Sequence, residues 1–370
     1  MSRVMRISKI EDRLEVIESP RYIFFGPGAI KKIPDVIDYL AFGKRAFLVT
    51  GGEITSRIAD DVASTLEHDG YVVDIFSAKK GDIEDVMKSD QSFREFKGDI
   101  ILGVGGGRPL DVAKITAAWN GVRYISVPTS PSHDGIASPS ISFLLSRKIE
   151  EVRGKEWTRT ESPTVIIADT NIIKNAPPLS FKSGFGDLVG KVTAVRDWEL
   201  AYKLKDEPYS EYGASMALLS AEIAMNHSRE IKPGLEESTR LLVKALIGSG
   251  VAISIAGSSR PASGSEHLFS HSLDIISMEK GKKSAPHGIQ VGIGAIMMAY
   301  LQGQDWKKIR NKLIEAEAPV KASDAGIDRE DVISALTIAH KIRNRYTILG
   351  ESGLTRSAAE KLARNTGVIE

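Results

Sequence analysis

The chain has 370 residues, 42% of them hydrophobic, which is enough for one large domain or two medium ones with a sizeable core. Basic and acidic side chains nearly cancel at a formal net charge of +1, which argues against nucleic acid as a main partner. Cysteine is absent, which excludes disulfides and thiolate metal sites, so any transition metal must be bound by histidine and carboxylate.

Two segments bear on where the protein works. The N-terminal stretch "MSRVMRISKIEDRLEVIESP" lacks the apolar core of a secretory signal. The most apolar later run, "ALIGSGVAISIAG", is too short to span a bilayer. We therefore expect a cytoplasmic protein without membrane insertion.

Short β-prone runs recur through the first half of the chain, with helical patterns such as "SRIADDVASTLEHDG" between several of them. In chain order the runs are "RAFLVT", "YVVDIF", "DIILGVGGG", "VRYISVP" and "PTVIIAD". Strands that alternate with helices predict an α/β domain whose parallel, Rossmann-like sheet is covered on both faces.

After "NAPPLS" the pattern becomes helical. Segments such as "SEYGASMALLSAEIAMNHS" have apolar residues at helical spacing, and no convincing strand follows. We therefore predict a nucleotide-binding α/β domain over residues 1–176 and an all-α domain over residues 177–370, with the boundary near Pro177 and Pro178. A ligand site in the cleft between two such domains would be usual.

The segment "DIILGVGGGRPLDVAK" is typical of a buried strand, a glycine turn and a helix. Gly105, Gly106 and Gly107 have no Cβ, so the backbone can approach a ligand closely. Pro109 suits a first helical turn, whose free N–H groups favour a pyrophosphate. The spacing is not the dinucleotide fingerprint G-x-G-x-x-G, because Arg108 stands where the third glycine would fall. A glycine-rich turn that binds nothing is the alternative.

A second turn, "ISVPTSPSHDGIASPS", follows the next strand. Its hydroxyl-bearing residues Thr129, Ser130, Ser132 and Ser138 belong to the same edge of the predicted sheet, with Asp134 among them. A polar loop is the simplest interpretation of this turn alone. Two consecutive strands that end in small and hydroxylic residues favour a phosphate or ribose site more than either turn does alone.

Histidines collect in the second half of the chain. His267 and His271 lie four residues apart in "SGSEHLFSHSLD", and His287 follows in "KSAPHG". Asp187 lies among small residues in "LSFKSGFGDLVGK". One carboxylate with His267 and His287 would give the three-ligand pattern of a catalytic zinc with an open position. A polar helix face is the alternative for the histidine pair.

In combination and order, five motifs resemble the glycerol dehydrogenase and iron-containing alcohol dehydrogenase superfamily, which includes the dehydroquinate synthases. Within it they are most similar to the archaeal sn-glycerol-1-phosphate dehydrogenases. The motifs are "GGGRPLDVAK", "PTSPSHDGIASP", "SGFGDLVGK", "SGSEHLFSH" and "APHG", and the likeness extends from about "YIFFGPGAI" to "LGESGLT". The resemblance implies a dehydroquinate synthase-like fold and a homo-oligomer, a dimer or larger.

The resemblance also implies a role for each matching position. Asp187, His267 and His287 match the ligands of Zn²⁺, while Asp134, Asp187 and His271 match substrate contacts, with Asp134 and His271 as the catalytic candidates. The positions implied for the cofactor, NAD(H) or NADP(H), are Gly105, Gly106, Gly107, Arg108, Pro109, Leu110, Asp111, Thr129, Ser130, Pro131, Ser132 and Ser138.

At two positions the sequence differs from relatives, and these differences bear on the expected metal and cofactor. Iron-dependent members carry a further histidine four residues after the aspartate, where this chain has Lys191, and fewer nitrogen ligands favour zinc. NAD-restricted relatives often carry an acid after the strand equivalent to "AFLVT", where this chain has Gly51 and Gly52. Without that acid NADPH should be accepted as well as NADH, although Glu53 lies close by.

The activity that the resemblance implies is reduction of dihydroxyacetone phosphate to sn-glycerol 1-phosphate, the backbone of archaeal ether lipids. His271 or a bound water would supply the proton. The substrate phosphate needs a cationic partner, and the sequence does not choose among the candidates near the motifs. These candidates are Lys191, Arg260, Lys282 and Lys283.

Four alternatives stay open. A glycerol dehydrogenase would act on unphosphorylated glycerol or dihydroxyacetone. A dehydroquinate synthase-like lyase is disfavoured by Asp187, since those enzymes resemble a glutamate-bearing variant at this position. A non-catalytic nucleotide-binding protein is disfavoured by the complete set Asp187, His267 and His287. A phosphosugar-processing relative is the fourth.

Overall fold

The computed structural model describes residues 17–370, so most of the stretch considered as a secretory signal lies outside the described residues. The described chain forms two compact units. The first comprises residues 17–130 and Gly135–Asn175, and the second comprises Pro131–Asp134 and Ala176–Glu370. The short segment Pro131–Asp134 thus belongs to the second unit, although it interrupts the first along the chain.

The first unit contains a six-stranded sheet in which every pair of neighbours is parallel, in the order β1-β6-β5-β4-β2-β3. The strands are β1 (Tyr22–Gly26), β2 (Arg45–Thr50), β3 (Val72–Ser77), β4 (Ile100–Gly105), β5 (Arg123–Pro128) and β6 (Val165–Asp169). The helices of this unit are α1 (Ile33–Tyr39), α2 (Glu53–His68), α3 (Ile83–Phe96), α4 (Gly107–Asn120), α5 (Phe143–Arg153) and α6 (Thr170–Ile173). The predicted parallel sheet is confirmed.

Both faces of the sheet are covered, as predicted. In β2, Ala46 and Leu48 pack in one apolar cluster with residues of α1 and α2, whereas Phe47 and Val49 pack in another with residues of α3, α4 and α5. This alternation follows from the two-residue period of a strand. A strand covered on both sides is apolar at nearly every position, which is why "RAFLVT" could be identified in the sequence.

The second unit is helical, and residues 176–370, all of which the structure describes, contain no strand. Its helices are α7 (Pro178–Lys205), α8 (Glu211–Asn226), α9 (Glu236–Ala256), α10 (Ser265–Glu279), α11 (His287–Leu301), α12 (Trp306–Glu315), α13 (Arg329–Ile338) and α14 (Arg356–Asn365). The longest helix, α7, packs against α8, α9, α10 and α11. Helix α7 is therefore the central helix of the second unit.

Glycines allow α7 and α11 to pack backbone against backbone. A Cβ built at Gly186 would lie 2.2 Å from the carbonyl oxygen of Gly288, and one built at Gly288 would lie 1.8 Å from that of Ser183. No real side chain tolerates such separations, so glycine is required at both positions. The residues that flank these glycines, Asp187 on α7 and His287 on α11, are consequently brought close together.

The apolar run "ALIGSGVAISIAG" lies in the second part of helix α9. Helix α9 has 21 residues, and by length and composition alone it could cross a membrane, so the expectation that this segment is too short is wrong. In the structure, however, 61% of its most apolar 18-residue window is buried, and the helix packs against α7 and α8. A core helix of a folded unit passes the same test of length and composition.

Candidate active site

The first predicted turn has the geometry of a ligand-binding loop. Strand β4 ends at Gly105, whose φ of 155° and whose closeness to Pro109 (2.4 Å from an added Cβ to Cγ) both require glycine. Helix α4 begins at Gly107, and Gly106 before it provides no side-chain cap. The first N–H groups of α4 therefore have no capping side chain, which is the arrangement that binds a pyrophosphate at a helix start.

The second predicted turn lies beside the first. The N–H of Thr129 donates to the carbonyl of Gly105 at 3.0 Å, and a Cβ built at Gly106 would lie 3.2 Å from Oγ of Ser130. The structure therefore brings together the ends of β4 and β5, as parallel neighbouring strands require.

Four other predicted cofactor residues have structural contacts in the first unit. Leu110 is buried and lies against Gly103. Asp111 is buried and accepts a hydrogen bond from the N–H of Ser142 at 2.9 Å, and Ser138 is fully buried, its Oγ accepting from the N–H of Ser140 at 3.3 Å. These contacts hold the chain that follows β5. Arg108 packs beside Gly81.

Pro131 and Ser132, also predicted to contact the cofactor, lie in the second unit. The carbonyl of Ser132 accepts a hydrogen bond from Oγ of Ser183 on α7 at 3.0 Å. A Cβ built at Gly184 would lie 2.0 Å from the carbonyl oxygen of Pro131. The segment Pro131–Asp134 is thus fixed to the first turns of α7.

The three predicted zinc ligands converge within the second unit. Oδ1 of Asp187 lies 3.6 Å from Nε2 of His267 and 4.0 Å from Nε2 of His287. The donor atoms of the three residues all lie within 4.8 Å of one another. Donors bound about 2 Å from one zinc ion would lie roughly 3–3.5 Å apart in a tetrahedron, so a small contraction suffices. The carboxylate and two imidazoles are also a donor set that zinc accepts.

The second nitrogen of each imidazole already has a partner. Nδ1 of His267 lies 2.8 Å from Oε1 of Glu266, and Nδ1 of His287 lies 3.2 Å from Oγ of Ser270. With a metal bound, a carboxylate on Nδ1 would favour the Nδ1–H tautomer of His267 and leave the lone pair of Nε2 for the ion. Such outer partners are a regular feature of histidine metal ligands. The residues present therefore fit a zinc ion.

A buried lysine balances the charge of this site. The ammonium of Lys191 lies 3.0 Å from Oδ1 of Asp187 and 2.8 Å from Oδ2 of Asp134. Burial raises the pKa of Asp187, but Lys191 and His267 outweigh it and hold that pKa well below its usual range. Burial alone would lower the pKa of Lys191, whereas Asp134 and Asp187 raise it overall. Lys191 is a cation committed to two carboxylates, which removes it from the candidates for the substrate phosphate.

Asp134 is held by three residues on two helices. Its Oδ2 accepts a hydrogen bond from Oγ of Ser249 on α9 at 2.7 Å and pairs with Lys191, while its N–H donates to Oδ2 of Asp187 at 3.1 Å. Ser249 was not predicted, because it lies 115 residues from Asp134 along the chain and carries no local signal. Glu266 and Ser270 were not predicted either, although they directly precede His267 and His271 in the sequence.

His271 lies beside the predicted ligands but has a different environment. Its ring centroid is 6.0 Å from that of His267 and 5.9 Å from that of His287. Burial, then the charge of Arg343 and the neighbouring histidines, keeps the pKa of His271 well below its ordinary value. At neutral pH His271 is therefore a neutral imidazole, which can donate a hydrogen bond or accept a proton.

A second, overlapping set of potential ligands consists of His271, Asp274 and His287. In this set Oδ1 of Asp274 already accepts hydrogen bonds from Ser284 at 2.5 Å and from Gln290 at 3.2 Å. Burial also raises the pKa of Asp274. The set that contains Asp187 is the better metal site, because its carboxylate is the more firmly ionised.

Comparison with known proteins agrees with this geometry. Residues 24–177 match the family model of iron-containing alcohol dehydrogenases. A glycerol-1-phosphate dehydrogenase (NAD(P)+) of Korarchaeum cryptofilum is 66% identical over 86% of this chain and 100% of its own length. The chain belongs to the glycerol-1-phosphate dehydrogenase family. It is therefore an oxidoreductase, and the resemblance found in the motifs is confirmed.

Other members of the family align over nearly the whole chain. The enzyme of the same name from Methanothermobacter thermautotrophicus is 47% identical over 95% of this chain and 99% of its own. Among solved structures, a probable glycerol dehydrogenase from Sinorhizobium meliloti has a TM-score of 0.73 at 17% identity, covering 95% of this chain and 98% of its own. That likeness shows the fold alone.

Proposed function

We propose that this enzyme reduces dihydroxyacetone phosphate to sn-glycerol 1-phosphate with NADH or NADPH and a zinc ion. The observation that carries the proposal is the convergence of Asp187, His267 and His287 with both Nε2 atoms turned to one carboxylate oxygen, beside Asp134 and His271. The relatives, by name glycerol-1-phosphate dehydrogenases using NAD(P)+, support the substrate and the cofactor.

Asp187, His267 and His287 would hold the zinc, and the turns at Gly105–Gly107 and Thr129–Ser130 would hold the cofactor phosphates. When bound, zinc would polarise the substrate carbonyl and NAD(P)H would supply the hydride. Gly51 and Gly52 place no acid at the end of β2, which supports acceptance of both cofactors, although Glu53 begins the helix that follows.

The side chains around the ligands position the substrate and its proton. Asp134, fixed by Ser249 and Lys191, retains a carboxylate oxygen that can accept a hydrogen bond from a substrate hydroxyl. In the reduction His271 or a bound water would give a proton to the substrate oxygen, and bulk solvent would replace that proton. In the reverse direction His271, neutral at physiological pH, would accept the proton and pass it to solvent through a water. The product would serve as the glycerol backbone of archaeal ether lipids, made in the cytoplasm.

The test is a set of initial rates on protein stripped of metal with a chelator and then reloaded with zinc. NADH and NADPH are each paired with dihydroxyacetone phosphate and, in parallel, with dihydroxyacetone. Zinc-dependent turnover of the phosphorylated ketone is the expected result. Turnover of dihydroxyacetone alone would contradict the proposed substrate while leaving the zinc site in place.

A further inference from the structure

Asp197 on α7 is a fully buried carboxylate that accepts hydrogen bonds on both of its oxygens. Its Oδ2 accepts from the N–H and from Oγ of Ser265, at 2.7 and 2.5 Å. Its Oδ1 accepts from the N–H of Ile348 at 2.7 Å and from Nε2 of Gln302 at 3.0 Å. An ionised carboxylate offers about four acceptor sites, so the capacity of Asp197 is used within the protein.

The three helices that this carboxylate joins each carry one of the proposed zinc ligands. Its own helix, α7, carries Asp187. Ser265 begins α10, two residues before His267. Gln302 directly follows the last residue of α11, whose first residue is His287. One side chain therefore links all the elements on which the proposed metal site is built.

The start of α10 depends on Asp197. Gly264 precedes this helix and provides no side-chain cap, so the N–H of Ser265 needs a partner from outside the helix. Asp197 is that partner, and a negative charge at a helix N-terminus is favourable. A Cβ built at Gly264 would lie 2.6 Å from Oδ2 of Asp197 and 2.7 Å from Cα of Ala194, so the backbone here lies directly against α7. The position of His267 in the same turn follows from this contact.

Helix α11 is fixed to α7 at two points. Near its start, the backbone of Gly288 packs on that of Gly186. At its end, Nε2 of Gln302 donates to Asp197 and, at 3.1 Å, to the carbonyl of Thr193. A helix held at one point can pivot about that point, whereas a second contact fixes its direction. The bond to Asp197 therefore helps to set the angle at which α11 presents the imidazole at its first position.

Asp197 is ionised at neutral pH despite its burial. Burial and then the charge of Glu266 raise the pKa of Asp197 to about 6, while hydrogen bonds from Ser265 and Ile348 lower it. A buried carboxylate is tolerated only when its oxygens are hydrogen-bonded, as they are here. An asparagine at this position would keep the size of the side chain but turn an NH2 group towards donors on one side.

We propose that Asp197 is a positioning residue, which sets the relative placement of the three ligand-bearing helices and thereby the affinity and geometry of the zinc site. This inference rests on the proposed function, since the zinc ion belongs to it. Asp197 lies ten residues beyond Asp187 on α7, roughly 15 Å along the helix axis, so it acts through the helices and not by contact with the ion.

The experiment measures the zinc affinity of full-length wild type, Asp197→Asn and Asp169→Asn by competition with a chromogenic chelator, well below the unfolding temperature. Asp169 is the matched control, because it is also a buried carboxylate that accepts from backbone N–H groups but belongs to the first unit. Its oxygens accept from Gly28 at 3.0 Å and from Ile30 at 3.2 Å. Thermal unfolding of the metal-free proteins measures the loss of stability in each variant. The absorption spectrum of the cobalt-substituted proteins reports the ligand geometry.

Asp197→Asn should bind zinc about 10-fold more weakly than wild type or worse, which is the lower end of the effect seen when the support of a metal ligand is removed. Its cobalt spectrum should differ from that of wild type. Asp169→Asn should also unfold at a lower temperature, yet it should keep the wild-type zinc affinity and the wild-type cobalt spectrum. This contrast separates positioning of the ligands from a general loss of stability.

A folded Asp197→Asn with the zinc affinity and cobalt spectrum of wild type would overturn the role, and so would an equal loss of affinity in Asp169→Asn. If Asp197→Asn does not fold, Gln302→Ala decides, because it removes only the link to α11: weaker zinc binding supports the role, and unchanged binding rejects it. Failure of the proposed zinc site looks different, since wild type itself would then bind neither zinc nor cobalt, and the role of Asp197 would be rejected with it.

Discussion

Lys191 donates a hydrogen bond to Asp187 at 3.0 Å, one helical turn away on α7, and both side chains are shielded from solvent. The same ammonium contacts Asp134 at 2.8 Å. Lysine thus stands where iron-dependent relatives carry a further histidine, and it neutralises two carboxylates rather than binding a metal.

Replacement of Lys191 by Met should destabilise the chelator-treated protein by about 3–5 kcal/mol, because two buried carboxylates lose their counter-charge. Zinc should reduce the deficit, since the ion supplies positive charge at Asp187. Urea unfolding with chelator and with zinc measures both effects. Lys32→Met is the control: Lys32 pairs with Asp35 on the surface and should change stability by less than about 1 kcal/mol. Equal effects of the two replacements would refute the role of Lys191.

The predicted zinc ligands can be separated from His271 by metal content. His267→Ala and His287→Ala should each lose zinc and activity together, because two ligands hold the ion poorly. His271→Ala should keep stoichiometric zinc and turn over more slowly. Metal analysis of dialysed protein, alongside initial rates, distinguishes the two classes. Full zinc occupancy in His267→Ala would remove that residue from the ligand set, and an unaltered rate in His271→Ala would dismiss its catalytic role.

Glu266 should act on zinc through His267. Glu266→Gln keeps the size of the side chain but removes the charge that lies 2.8 Å from Nδ1 of His267. We expect zinc affinity to fall about 10- to 100-fold, measured by competition with a chromogenic chelator. Glu279→Gln, an exposed position on the same helix, is the control and should leave the affinity unchanged. The same affinity in Glu266→Gln as in wild type would show that this contact does not tune the site.

Gly186→Ala tests the helix contact beneath the site. The added methyl group would lie 2.2 Å from the carbonyl of Gly288, so α7 and α11 must separate, at a cost of about 1–3 kcal/mol or more. Because Asp187 and His287 flank this contact, zinc affinity should fall along with stability. Gly52→Ala, where a Cβ meets nothing within 4 Å, is the control for stability. A variant with wild-type stability and wild-type zinc binding would contradict the account of the packing.

Much of the first unit could be predicted from the sequence, because buried parallel strands are apolar at almost every position. The five runs from "RAFLVT" to "PTVIIAD" correspond to β2–β6. Strand β1 (Tyr22–Gly26) was missed: it is short, lies at the edge of the sheet and is only partly buried, so its pattern is weak.

Those residues of the candidate site that belong to the sequence motifs could be predicted. Contacts with residues far away along the chain could not. Asp187, His267 and His287 could be picked out as a possible ligand set. Spacing could not show that Lys191 bridges two carboxylates or that Ser249 holds Asp134, since both facts depend on how α7 and α9 pack.

The configuration of the product tests the central claim most directly. Zinc-loaded protein is supplied with NADPH and dihydroxyacetone phosphate, and the glycerol phosphate formed is assigned with enzymes specific for each enantiomer. The account predicts sn-glycerol 1-phosphate, formed only when zinc is present. Formation of sn-glycerol 3-phosphate, or the same rate in the chelated protein, would contradict it.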